Sequence, residues 1–207
     1  MTRRQVSLAI VLLAFVALAH AAARFTQFGG AQFAPSIAAY VLMALLLAPA
    51  LGWLPLAGLG LATGALTALT TSTTPALPSL LAHAAGFLVA SALAKRGSRP
   101  GRDFSLGAML GILAATLVVA WTLFAVSMWL LLAGTPFVAA SRERFGVSLG
   151  QGFAAWWLFG FLSFGIPTYV ISAILLPLLY GSVRAVFTRR GVPVDGDDWL
   201  PGRTLER

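Results

Sequence analysis

No cysteine occurs among the 207 residues, which excludes disulfides, thiolate nucleophiles and cysteine-ligated metals. Charge is scarce as well: 10% of residues are charged against 59% hydrophobic, and only six are acidic. Those six, Asp103, Glu143, Asp195, Asp197, Asp198 and Glu206, all fall outside the apolar runs. A hydrolase needs a base held beside its nucleophile, and a metal enzyme needs clustered ligands. Neither an HExxH pattern nor a Ser-His-carboxylate set is visible, and no Walker or other nucleotide pattern occurs. Catalysis is therefore not expected, nor is a cofactor. Proton-coupled carriers and voltage sensors usually carry Asp, Glu, Lys or Arg within their spans. None lies well inside any run here, and the only deeper ionisable groups are His20 and His83. A self-energised pump is not expected.

What is present is apolar sequence in six stretches: Val6–Ala23, Ala34–Gly52, Leu54–Thr71, Leu77–Ala94, Leu106–Ala133 and Phe153–Phe187. Runs of about 20 apolar residues cross a bilayer as helices. The expectation is an all-α integral membrane protein, with a bundle of six transmembrane helices in residues 1–190 and a polar tail in 191–207. The last two stretches exceed a span and should tilt or bend, with Pro167 and Pro177 as the bends in the sixth. Only Gly52 and Trp53 separate the second and third, which predicts a tight antiparallel hairpin. Arg3-Arg4, an apolar run and Ala19-His20-Ala21 also follow the pattern of a secretory signal. The run is long for one, and the segment is read as a retained span.

A net charge of +8 would point to nucleic acid in a soluble protein. Here the cations flank apolar runs, so they report orientation, and no nucleic-acid partner is expected. With a cytoplasmic N-terminus, Arg3, Arg4, Lys95, Arg96, Arg99, Arg102, Arg184, Arg189, Arg190, Arg203 and Arg207 face inward. Arg24, Arg142 and Arg144 face outward. That bias predicts cytoplasmic N- and C-termini.

The third stretch carries the most pattern. Wound at 100° per residue, Leu56–Pro75 places Gly60, Gly64, Ala68 and Thr71 on one arc. Thr63, Thr67, Thr70 and Thr74 lie beside it, and Leu59, Leu61, Ala62, Ala65, Leu66 and Leu69 opposite. In a bilayer small residues form the packing face, because they let backbones approach. Packing alone accounts for this stripe; the alternative is that its hydroxyl-rich outer end opens into a binding cavity. Thr67, Thr70, Thr71 and Thr74 are then the candidate substrate contacts. His83, Trp121, Trp156 and Trp157 would supply walls and one polar group, and Arg142 a rim cation for a carboxylate. The competing readings are a packing histidine and interfacial tryptophans. Gly107 and Gly111 form a GxxxG, whose role is helix packing.

The run Gly60-Leu61-Ala62-Thr63-Gly64-Ala65-Leu66-Thr67-Ala68-Leu69-Thr70-Thr71, followed by Pro75 and Pro78, resembles the third helix and following loop of tryptophan-transporter-like proteins. These belong with the substrate-binding S components of energy-coupling factor (ECF) transporters. The resemblance implies six short spans, cytoplasmic termini and capture of a small aromatic, amino-acid-like or vitamin-like solute. It implies partners too: the ECF coupling membrane subunit and the cytoplasmic ATPases that do the hydrolysis. An AxxxA-type surface on the family's first helix docks the coupling subunit; Ala17/Ala21 and Ala19/Ala23 match that spacing. Two other classes fit the residues: a structural subunit of a membrane complex without ligand, and a passive facilitator.

Overall fold

The computed structural model describes residues 3–22, 27–28, 31–70, 76–99, 102–132 and 152–189, with single positions at 136, 139 and 143. The described chain is helical apart from one small ladder. Its helices are α1 (Arg3–Ala22), α2 (Pro35–Leu47), α3 (Trp53–Thr70), α4 (Ala76–Gly97), α5 (Leu106–Leu132), α6 (Phe153–Gly160) and α7 (Ile166–Arg189). Strands β1 (Gln27–Phe28) and β2 (Ala31–Gln32) pair antiparallel between α1 and α2, with Gln27 opposite Gln32. The polar tail expected at 191–207 lies outside the described residues.

Five helical stretches are long and apolar enough to cross a membrane: α1, α3, α4, α5 and the continuous Phe153–Phe187 run. The second sequence segment departs from this. It forms the 13-residue α2, only about 20 Å long against a hydrocarbon core of about 30 Å. Pro35 opens the helix, where its missing N–H costs nothing. Pro49 follows its last turn and withholds a donor there. Because α2 is apolar on every side, its stable position is the centre of the bundle. Every residue from Ser36 to Leu47 is buried, packed by α1, α4, α5 and α7.

A helix ending inside protein at membrane depth must have its terminal backbone groups satisfied by side chains. Here the Ala34 N–H donates to Thr168 Oγ1 on α7 at 3.0 Å. At the other end, Lys95 of α4 donates from Nζ to the carbonyls of Ala48 (3.0 Å) and Leu51 (2.5 Å). The same ammonium lies 5.8 Å from the Trp53 ring centroid. These tethers also fix which ends coincide. The C-terminus of α2, the start of α3 and the end of α4 meet at one end of the bundle. Arg184 of α7 joins them through its ion pair with Asp103, 2.6 Å long. Arg3, Lys95, Arg96, Arg99, Arg102, Arg184 and Arg189 thus gather at this cationic end.

The tight hairpin expected between the second and third segments does not form as a packed pair; α3 packs on α4 and α1 instead. The reason is the small-residue face. Leu56, Leu59, Gly60, Thr63, Gly64 and Thr67 are buried, while Leu61 and Leu69 on the far side are exposed. A Cβ on Gly64 would lie 2.5 Å from the Leu80 carbonyl oxygen and 3.0 Å from the Ala84 Cβ. Only glycine allows that approach of α3 to α4. By contrast, Gly107 and Gly111 are exposed, and a Cβ on either meets nothing within 4 Å. The described residues therefore make no use of this GxxxG.

Pro167 acts as expected on the last segment. Its ring cannot donate and displaces the carbonyl of Ser163, four residues earlier. The chain absorbs this as a π-helical turn over Phe161–Gly165 between α6 and α7. Pro177 lies inside α7.

Candidate functional site

Away from the cationic end, three helices converge on a polar cluster. α1 ends with His20 in its last turn, and α2 begins with Ser36 in its first. His20 Nδ1 and Ser36 Oγ share a hydrogen bond of 3.1 Å. α4 brings His83, whose ring meets that of His20 edge to face, with centroids 5.2 Å apart and planes at 82°. Tyr40 lies one turn after Ser36 on the same face of α2, and its ring contacts His83 edge to face at 5.8 Å. The chain's only two histidines, from segments far apart in sequence, are thus in contact.

This cluster is unsatisfied. Tyr40 is fully buried, yet its hydroxyl has no hydrogen-bond partner among the described residues, and neither does His83 Nδ1. Burying such groups unpaired costs about 1–3 kcal/mol each, so native proteins rarely leave them so without reason. Gly86 makes room for the phenol: a Cβ there would sit 2.8 Å from Tyr40 Oη and 3.2 Å from the Ala120 Cβ. Gly86→Val is expected to force Tyr40 out of place and lower stability by about 1–3 kcal/mol. Chemical or thermal unfolding in detergent checks this.

Of the residues singled out in the sequence, His83 belongs to this cluster. The tryptophans do not. Trp121 on α5 and Trp156 and Trp157 on α6 come together in a second, aromatic cluster. Trp121 Nε1–H donates to the Trp157 carbonyl (3.1 Å), and Trp157 Nε1–H donates to Thr122 Oγ1 (3.3 Å). Trp156 is fully buried between Trp121 and Trp129, with centroids at 6.4 and 6.0 Å. Trp157 stacks on Phe161 at 5.3 Å. These contacts fasten α6 to α5.

Thr67 is fully buried and donates to the Gly64 carbonyl (2.9 Å); Thr70 donates to the Leu66 carbonyl (2.6 Å). Thr63 is buried beside them with its hydroxyl unpartnered among the described residues. Thr71, Thr74, Arg142 and Ala23 lie outside the described residues. Ala17, Ala19 and Ala21 are half-buried on α1.

The sequence marked His83 as a candidate site residue and His20 only as a deeper ionisable group, while Ser36 and Tyr40 were passed over. A signal was available: both histidines fall in apolar runs, and Ser36 and Tyr40 have the i, i+4 spacing of one helix face. Among the described residues no group of three His, Cys, Asp or Glu side chains that would hold a metal occurs. Compared with protein-family models, curated proteins and solved structures, the chain matches none.

Proposed function

We propose that this multi-pass membrane protein captures a small aromatic, amino-acid-like or vitamin-like solute at the His20–Ser36–Tyr40–His83 cluster. On this reading it is the S component of an ECF-type uptake system. One observation carries the site: Tyr40 and His83, on different helices with rings in contact at 5.8 Å, each bury a polar atom, the Tyr40 hydroxyl and His83 Nδ1, without a partner among the described residues. A ligand offering a donor and an acceptor would satisfy them, and the apolar surroundings suit a largely apolar solute. The transport role rests on the sequence resemblance and on the lack, among the described residues, of any Asp, Glu, Lys or Arg between the two ends of the bundle. A solute-binding chain of that kind needs an external motor, here the coupling subunit and its ATPases.

The cationic end is assigned to the cytoplasm. The solute cluster then lies toward the outer face, where a captured solute arrives. A reporter inserted near Arg99 is expected to be cytoplasmic, and one near Glu143 external. Finding both on one side would overturn the orientation.

Docking is assigned to the Ala17/Ala21 face of α1, which is half-buried beside exposed Ile10 and Leu18. Ala17→Leu is expected to abolish ATP-driven uptake of L-tryptophan, in cells carrying the coupling subunit and ATPases, while leaving binding by the isolated chain intact. Equal loss of both would assign α1 to folding. A structural subunit is the second reading, favoured by the open Gly107/Gly111 face of α5. It expects no solute to stabilise the purified protein.

A further inference from the structure

We infer that the cluster recognises the carboxylate of its solute and takes up one proton with it, the proton residing on the His20–His83 pair. This rests on the solute-capture reading above and specifies which part of the ligand is held.

A helix N-terminus carries partial positive charge and favours anions. At the buried start of α2 the Ala34 N–H is already donated to Thr168 Oγ1 and Pro35 has no N–H, so at these two positions an anion would meet the helix dipole and not a free terminal amide. Alone this means little; the site stands on two other features of the cluster. Tyr40, fully buried one turn along, has an unpartnered hydroxyl able to donate. Beside it lie two imidazoles in contact, one fixed by Ser36 at 3.1 Å and the other with an unpartnered Nδ1. All are groups that bind an oxyanion.

Among the described residues, which do not include Arg24, Arg142 or Arg144, no permanent countercharge stands at this end. Among the described residues, the helices around the cluster bring no Asp, Glu, Lys or Arg to this end. Arg3 and Arg4 begin α1 at the opposite end, and Lys95 and Arg96 close α4 there. Arg184 and Arg189 stand at the same remote end of α7, while α3 and α5 carry no charged residue. Tyr40 is the titratable side chain in ring contact with His83. A bare carboxylate entering this site would therefore be an uncompensated buried charge, which is costly. The histidines resolve this. One imidazole accepts a proton from water as the anion arrives, giving a neutral imidazolium–carboxylate pair. A second proton is disfavoured, because two imidazolium ions with centroids 5.2 Å apart repel strongly in a poorly polarisable interior.

The sign follows by linkage. Anion binding requires the protonated pair, so affinity is greatest at low pH and falls as pH rises through the titration of the pair. Above it, one coupled proton makes binding weaken by about tenfold per pH unit. An uncharged analogue shows no such dependence.

The test uses the full chain in detergent, with indole-3-propionate, indole-3-propionamide and L-tryptophan as probes. Calorimetry in two buffers of different ionisation enthalpy counts protons taken up at pH 6, 7 and 8. Indole-3-propionate is expected to bind with uptake approaching one proton at pH 8, and the amide with none. The double variant His20→Gln/His83→Gln, which keeps hydrogen-bonding capacity but cannot titrate there, should bind the acid at least about tenfold more weakly than the parent, with no proton uptake. If that variant does not fold, the proton count on the parent still decides. Binding of the acid without proton uptake, or binding of the amide or L-tryptophan alone without it, overturns this inference and leaves solute capture standing. Binding of none of the three overturns both.

Discussion

Gly64→Leu should cost the bundle about 3 kcal/mol or more, lowering the melting temperature in detergent by about 6–12 °C. The added Cβ would lie 2.5 Å from the Leu80 carbonyl oxygen, and a backbone atom of a packed helix cannot step aside as a side-chain tip would. α3 must move away from α4, exposing the Gly60–Leu88 contact as well. In a bilayer little is gained when an apolar helix leaves a poor fit for lipid, so close packing carries much of the association. Gly111→Leu is the internal comparison. It adds the same atoms to an open face and should shift stability by less than about 0.5 kcal/mol. Equal effects at the two glycines would refute the packing assigned to the stripe.

Lys95→Met should cost about 2–3 kcal/mol, nearly all of it at the C-terminal end of α2. Hydrogen bonds from a charged donor are worth about 1.5–3 kcal/mol each, and the half-buried position of Lys95 tempers the sum. The methionine fills similar space but leaves the Ala48 and Leu51 carbonyls without their donor. Lys95→Arg supplies a donor again and should recover about half of the loss. Thermal unfolding reads both, and hydrogen exchange should speed up in α2 before α4. A methionine variant as stable as the parent would mean that the ammonium serves orientation alone.

How far the fold was legible depended on which forces acted locally. The long apolar runs became helices close to their expected bounds, because span length is a property of each segment alone. α2 was misread because hydropathy cannot tell a span from a short helix sealed inside the bundle; Pro49 was the clue to its early end. The α2–α3 hairpin was inferred from a short connection, yet neighbours in sequence need not pack. Gly64 required a partner with Ala84 and a bare backbone, and that partner was α4. The small-residue face of α3 itself was readable, since one 3.6-residue periodicity defines it.

The site was legible in part. His83 stood out as an ionisable group in an apolar run, but its neighbours come from α1 and α2, and only the tertiary arrangement unites them. Trp121, Trp156 and Trp157, read as walls of a pocket shared with His83, come together in a cluster of their own. Their Nε1–H bonds to the Trp157 carbonyl and to Thr122, which tie α5 to α6, depend on geometry that composition does not carry.

The central claim, that the Tyr40–His83 cluster is a solute site, is tested most directly by melting the purified full chain against L-tryptophan and indole-3-propionate at rising concentration. A specific ligand stabilises by mass action, about 2.7 kcal/mol at a hundred times its dissociation constant. The account predicts a saturable rise in melting temperature for at least one of the two in the parent. It also predicts that Tyr40→Phe, which removes one unpartnered hydroxyl and little else, binds up to about tenfold more weakly. A melting temperature unmoved by either solute, or a Tyr40→Phe variant that binds both as the parent does, would contradict it.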